Sequence, residues 1–211
     1  MSDDLRHTDR VAAALAQRIL SGMWPENEKF PADTELCAEF NVSRTVIREA
    51  LRLLSGKGLI VAVPRRGTHV TNRQNWALWD KDVLNWLEDA NHKANKYDFS
   101  ADALDMRLAL EPTLAALAAA RADEAANDAL QGALRQLQQQ TDMTAHTAFL
   151  AGFYSAADNQ FAIAALPLAF YSISRRQTPP PLEAYRRLTA AIAQKDGAAA
   201  RQAALQAILS D

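Results

Sequence analysis

A chain of 211 residues is long enough for two domains with separate cores. Its net charge of −2 and pI of about 6.1 argue against a general polyanion binder, and its one cysteine, Cys37, excludes an intramolecular disulfide framework. No stretch approaches a membrane span, and the polar, acidic N-terminus MSDDLRHTDR lacks the cationic and then apolar run of a secretory signal, so a soluble cytoplasmic protein is expected.

In chain order, Asp33 to Phe40 reads as a short helix with Leu36 and Phe40 on one side and Cys37 as a small core residue. Asn41 and Ser43 are turn and cap types, and Ser43 is placed to accept from the free amides of a helix running to about Lys57. Val46, Ala50, Leu53 and Leu54 give this helix an apolar face, while Arg44, Thr45, Arg48 and Arg52 leave from its start and its other side. Gly58 is a stop. Leu59 to Val63 and Thr68 to Thr71 are β-prone, and Pro64-Arg65-Arg66-Gly67 turns between them with two cations at its tip.

Helix, tight turn, basic helix and hairpin are the layout of a winged helix-turn-helix. A helix of this kind fits the major groove of B-DNA, where an arginine donates two hydrogen bonds to guanine O6 and N7. The cationic tip can reach phosphates or a minor groove. From Arg44 to Arg73 seven Lys or Arg stand against one acid, Glu49, whereas residues 74–211 hold twelve against sixteen. The cationic footprint is thus confined to one module, which points to double-stranded DNA; the competing reading is a merely solvated basic face.

Residues 74–211 are expected to be all-α. Asp80 can cap a helix from about Lys81 to Ala90, with Trp79, Val83 and Trp86 on one side as packing residues. Ala101 to Arg121 follows, bent or partly broken at Pro112. Further helices are predicted at about Glu124 to Gln140, Asp142 to Ala157, Gln160 to Arg176, Leu182 to Gln194 and Gly197 to Leu209, with Thr178-Pro179-Pro180-Pro181 as a stiff loop. The expected fold is mainly α: a winged helix-turn-helix with a small hairpin wing over 1–73 and an all-α helical bundle over 74–211.

PADTELCAEFNVSRTVIREALRLLSGKGLI followed by RRGTHV resembles the DNA-binding domain of GntR-family bacterial transcription regulators over roughly residues 8–72. That resemblance implies operator contacts by Arg44, Thr45 and Arg48, with Gly67 at the wing tip beside the two cations of the turn, Arg65 and Arg66. Many members carry an arginine where this chain has Thr34, which implies a different contact there. The second half resembles the ligand-sensing domain of the FadR subfamily at MRLALEPTLAALAAARA, AFLAGFYSAADN and LTAAIAQKDGAAARQAAL, and RQNWALWDKDVLNWL resembles the linker of members that regulate sugar-acid catabolism.

Many of that subfamily hold a divalent metal with an aspartate, a histidine one turn later and two further histidines on the last helices. The matching positions here are His146, Leu150, Tyr185 and Ala207, so no metal and no other cofactor is expected. Asp142 and His146 lie one turn apart and would supply half a site if the frame were shifted. The resemblance implies instead a small organic-anion effector read by Arg107, with His146, Tyr154, Asn159, Arg175 and Tyr185 as the polar and aromatic residues to join it. Two bland readings compete: Arg107 pairs with Glu111 at i+4, and His146 is simply packed. The sequence therefore favours a homodimeric, effector-controlled repressor on a pseudo-palindromic operator. The alternative is a dimeric DNA-binding or structural protein whose sensing pocket is closed or lost. An enzyme is the least expected class, because no nucleophile and base pair, phosphate-binding glycine loop or catalytic metal set occurs at motif spacing.

Overall fold

A computed structural model describes residues 2–91, 97–174 and 180–210. Within them the chain forms two compact units, Met1–Asp98 and Phe99–Asp211.

The first unit opens with α1 (Ser2–Leu20), a helix the sequence reading left out because its first turns are polar. Farther along, α1 buries Val11, Ala12, Leu15, Ala16, Ile19 and Leu20. This stripe packs on α3 (Arg44–Gly56) and α4 (Lys81–Asn91). Each such aliphatic side chain contributes about 1.5–3 kcal/mol when fully buried. Helix α2 (Asp33–Phe40) adds Leu36 and ends at Asn41 in the left-handed conformation, φ 51°. On α3 the buried residues are Val46, Ile47, Ala50 and Leu54, whereas Leu53, expected in the core, is 38% exposed. Periodicity centres the buried arc near Ala50 but does not say which edge the neighbours cover.

Helix α3 ends in a left-handed Gly58, φ 73°, with Leu59 N–H donating back to Leu54 C=O at 3.0 Å. A side chain is excluded there, since a Cβ on Gly58 would lie 2.0 Å from the Asn75 carbonyl oxygen. Strands β1 (Ile60–Val63) and β2 (Gly67–Val70) pair antiparallel, Ile60 opposite Val70 and Val63 opposite Gly67. The segment at Lys29 adds a further antiparallel bridge to His69.

The sequence reading divides the chain after residue 73, and the two compact units meet at Asp98 and Phe99. Residues 74–98 belong to the first unit because their anchors are there. Lys57 on α3 holds Asp80 at 2.7 Å and Asp82 at 2.9 Å, Ala77 N–H donates to Lys57 C=O at 3.0 Å, and Trp76 meets Tyr97 edge to face at 5.1 Å. Asp80 caps α4 through Asp82 N–H at 2.9 Å and Val83 N–H at 3.3 Å. Trp79 is 52% exposed, off the predicted face, because it precedes the helix in a turn closed by Asp80 N–H and Ala77 C=O. Val83, Leu84 and Leu87 of that helix are buried, and Trp86 lies under the Lys57 ammonium.

Among the described residues the second unit holds six helices: α5 (Ser100–Arg121), α6 (Glu124–Gln139), α7 (Met143–Ala156), α8 (Gln160–Ser174), α9 (Leu182–Ala193) and α10 (Gly197–Leu209). Asp123, Asp142, Asn159 and Asp196 each accept from the first amides of the helix that follows, at 2.8–3.2 Å. Helix α5 runs through Pro112 without a break in its assignment. Ala115, Ala118 and Ala119 of α5 are buried, as are Ala200, Ala203, Ala204 and Ala207 of α10, and these small side chains let the two helices pack closely. Among the described residues no helix is long and apolar enough to cross a membrane.

Candidate functional site

Two polar sites stand out, one on each unit. On the first, Ser43 Oγ accepts from Val46 N–H at 3.4 Å and opens α3 with Arg44 and Thr45 exposed. Among the described residues neither engages a side-chain partner. Arg48, with its side chain 68% exposed, donates through Nε to Asp33 Oδ2 at 3.4 Å. So long and exposed a pair contributes little and yields readily to a phosphate or a base edge.

At the wing, Arg66 N–H donates to Val63 C=O at 3.0 Å, closing a turn with Pro64 second and Arg65 third. Arg65 adopts φ 62°, the left-handed region that the third residue of a type II turn requires and that glycine occupies more easily. Gly67 follows at φ 86°. The sequence reading missed Lys29, an exposed cation whose Cε lies 3.5 Å from where a Gly67 Cβ would be. Its only signal is the fold, since the bridge to His69 carries it there across the chain. A cleft of about 700 Å³ between α1 and the start of α3 is lined by His7, Arg10, Gln17, Asn41 and Ser43.

In the second unit, α5 carries Arg107 and Glu111 one turn apart and wholly inside the bundle. Arg107 Nε donates to Glu111 Oε1 at 2.6 Å and Nη2 to Glu111 Oε2 at 3.2 Å, a two-pronged pair, while Nη1 donates to Ser172 Oγ at 3.2 Å. Tyr154 on α7 donates to Glu111 Oε1 at 3.0 Å. Burial pushes the Tyr154 phenol far upward and the Glu111 charge adds to it, so this hydroxyl stays a donor. Burial works against the Arg107 cation, but Glu111 outweighs it and raises the guanidinium above its ordinary value. His146 on α7 and Tyr185 on α9 bond at 2.7 Å, and Tyr185 rests on Phe149 with ring centroids 4.3 Å apart. Tyr154 and Tyr185 both fall within the field of Arg107, so these groups form one cluster.

The predicted ligand residues therefore divide. Arg107, Tyr154, His146 and Tyr185 come together. Asn159 is committed elsewhere, its Oδ1 accepting from Phe161 and Ala162 N–H at the start of α8. Arg175 lies outside the described residues. Asp142 caps α7, so the Asp142 and His146 pair serves two separate ends. The structure adds Ser172. One turn after Tyr185 on α9, the buried Thr189 hydroxyl has no hydrogen-bond partner among the described residues. Small polar residues inside apolar helices carry no pattern that marks them beforehand. Among the described residues no three His, Cys, Asp or Glu side chains gather as a metal would need.

Comparison with known proteins agrees with this division of labour. Residues 7–70 match the family described as bacterial regulatory proteins, gntR family, and residues 102–210 match the FCD domain. The galactonate operon transcriptional repressor of Escherichia coli K12 is 32% identical over 98% of this chain and 95% of its own. The uncharacterized regulator YieP of the same organism is 38% identical over 52% of this chain and 46% of its own. Lar of Listeria monocytogenes shares the fold, with a TM-score of 0.57 at 17% identity over 96% of this chain and 93% of that one. The chain belongs to the GntR family of bacterial regulatory proteins, in the FadR-like branch that joins a winged helix-turn-helix to an FCD domain, and is a transcription regulator.

Proposed function

We propose that this regulator is a repressor, bound to a pseudo-palindromic operator as a homodimer in the cytoplasm and released when a small carboxylate reaches the cluster around Arg107. One observation carries the sensing half: a fully buried arginine with a carboxylate, two phenols, an imidazole and a hydroxyl around it, in the middle of an otherwise apolar helical unit. Arg107 already holds Glu111 through both prongs, so an incoming carboxylate takes its place and leaves Glu111 to accept from the ligand's own hydroxyls. The relative named for the galactonate operon makes sugar acids the first compounds to try. On the first unit, Arg44, Thr45 and Arg48 are assigned to base edges and phosphates, and Arg65, Arg66, Gly67 and Lys29 to the flanking groove.

A single recognition helix covers only a few base pairs, so specificity needs two half-sites and two copies. Helix α8 offers the second copy a surface: none of its fifteen residues is charged, and Phe161 is 90% exposed. Sedimentation should give a species near twice 23.2 kDa that Phe161→Asp weakens. A competing reading, a pocket lost to packing, draws on the burial of Leu150, Phe153 and Tyr185.

The deciding experiment selects an operator from random duplexes and measures its release by a panel of sugar acids, with wild type and with Arg107→Met/Glu111→Leu. Release of wild type alone supports the sensor. Release of neither, with operator binding intact, favours the lost pocket, and binding of no preferred duplex removes the DNA assignment.

A further inference from the structure

We infer that the sensing unit works without the divalent cation many of its subfamily hold, the His146–Tyr185 bond standing in for the cation as the link between α7 and α9. This rests on reading the unit as a sensor. His146, Leu150, Tyr185 and Ala207 stand at the positions that correspond by sequence to the family's metal donors, and together they do not make a donor set. His146 and Leu150 are one turn apart on α7, Tyr185 of α9 meets His146 at 2.7 Å, and Leu150, Tyr185 and Ala207 are buried in one core.

Of those four side chains two are aliphatic. The third is a phenol, which with an ordinary pKa of about 10 is protonated at neutral pH and a poor ligand. The fourth, His146, has its Nε2 bonded to that phenol. A tight divalent site takes about three or four nitrogen, oxygen or sulfur donors in fixed geometry.

Neither nearby acid makes up the deficit. Asp142 is exposed and accepts from Ala145 N–H at 2.8 Å. Glu111 spends both oxygens on Arg107 and one of them also on Tyr154. The imidazole and phenol complete each other instead. Phe149 stacks on the Tyr185 ring and fixes its direction. A ligand carboxylate in this unit therefore meets protein donors only, Arg107 first, with no Lewis acid to polarise it.

The test reads metal and fold, not regulation, so it stands apart from the operator-release experiment. Full-length protein purified without chelator should carry less than about 0.1 equivalent of zinc, nickel or manganese by mass spectrometry, and its thermal midpoint should move by less than about 1 °C with EDTA or added zinc. The variant Leu150→His/Tyr185→His restores imidazoles beside His146, and is expected to take up about one equivalent of zinc and to lose thermal stability on chelation. Tyr185→Phe keeps the ring, removes the hydroxyl bonded to His146 Nε2 and should lower the midpoint by several degrees with no metal gained. Stoichiometric metal in the wild type would overturn the inference. So would a folded double-histidine variant that binds no zinc, since these positions would then not face one another. A Tyr185→Phe midpoint equal to wild type would remove the bond's linking role.

Discussion

The two units keep their arginines in opposite states. In the winged unit Arg44 and Arg65 stand in solvent with no counter-charge among the described residues, and Arg48 has one at arm's length in Asp33. In the helical unit Arg107 is 0% exposed and has its counter-charge built in, two bonds from Glu111. The first arrangement leaves electrostatic attraction available to a polyanion at every moment and makes binding sensitive to salt. The second stores the cation behind a gate of its own making. A ligand gains there only the difference between its bonds and those of Glu111, and selectivity follows from that small margin.

Breaking the buried pair should have the largest effect. Arg107→Ala leaves the Glu111 charge unpaired in the core and is expected to lower unfolding free energy by about 3–5 kcal/mol, while Arg107→Met/Glu111→Leu recovers most of it. Chemical denaturation reads both, and a single variant as stable as wild type would mean the pair is not buried. Gly58→Ala comes next, at about 1–3 kcal/mol, because the left-handed φ and the Asn75 carbonyl both oppose a side chain. Thermal unfolding would show the loss.

The exposed cations should act on DNA and hardly on the fold. Arg44→Ala should cost about 1–3 kcal/mol of operator binding and relax preference at one position. Lys29→Gln and Arg65→Ala should weaken all duplexes alike and lower the salt slope by about one each. Anisotropy titrations across salt distinguish the two kinds, and a sequence-selective loss in Lys29→Gln would move that residue to the base-reading group.

The smallest effect concerns the α3 to α4 fastening. Burial alone raises the Asp80 carboxyl, but Lys57 and the Val83 and Asp82 amides overrule it and hold it below the ordinary 3.8. A carboxyl depressed in the folded state stabilises above its unfolded pKa and loses that contribution as pH falls through the folded value. Asp80→Ala should therefore cost about 0.5–2 kcal/mol at neutral pH and flatten the acid limb of the stability curve.

What the sequence revealed follows from what is local. The Ser43 and Asp80 caps are each written within three residues of the amides they serve and were read as caps, whereas Asp142 and Asn159 cap in the same way but were read as ligand candidates. Arg107 with Glu111 was equally visible as an i+4 pair, but its complete burial was not, because that depends on α7, α8 and α9, which bring Tyr154, Ser172 and Tyr185 to it. The fastening of α4 onto α3 is of the same kind, since Lys57 reaches across 23 residues to Asp80, a contact with no periodic trace. Lys29 and Ser172 belong to this long-range class as well.

The left-handed Arg65 separates two kinds of selection. Glycine at that tip would relieve roughly 1–2 kcal/mol of backbone strain and leave the turn intact. A library sorted for heat resistance alone would thus drift to glycine or asparagine there, and a library sorted for operator occupancy would hold the arginine. The residue found at position 65 after evolution under each pressure is a record of which one prevailed.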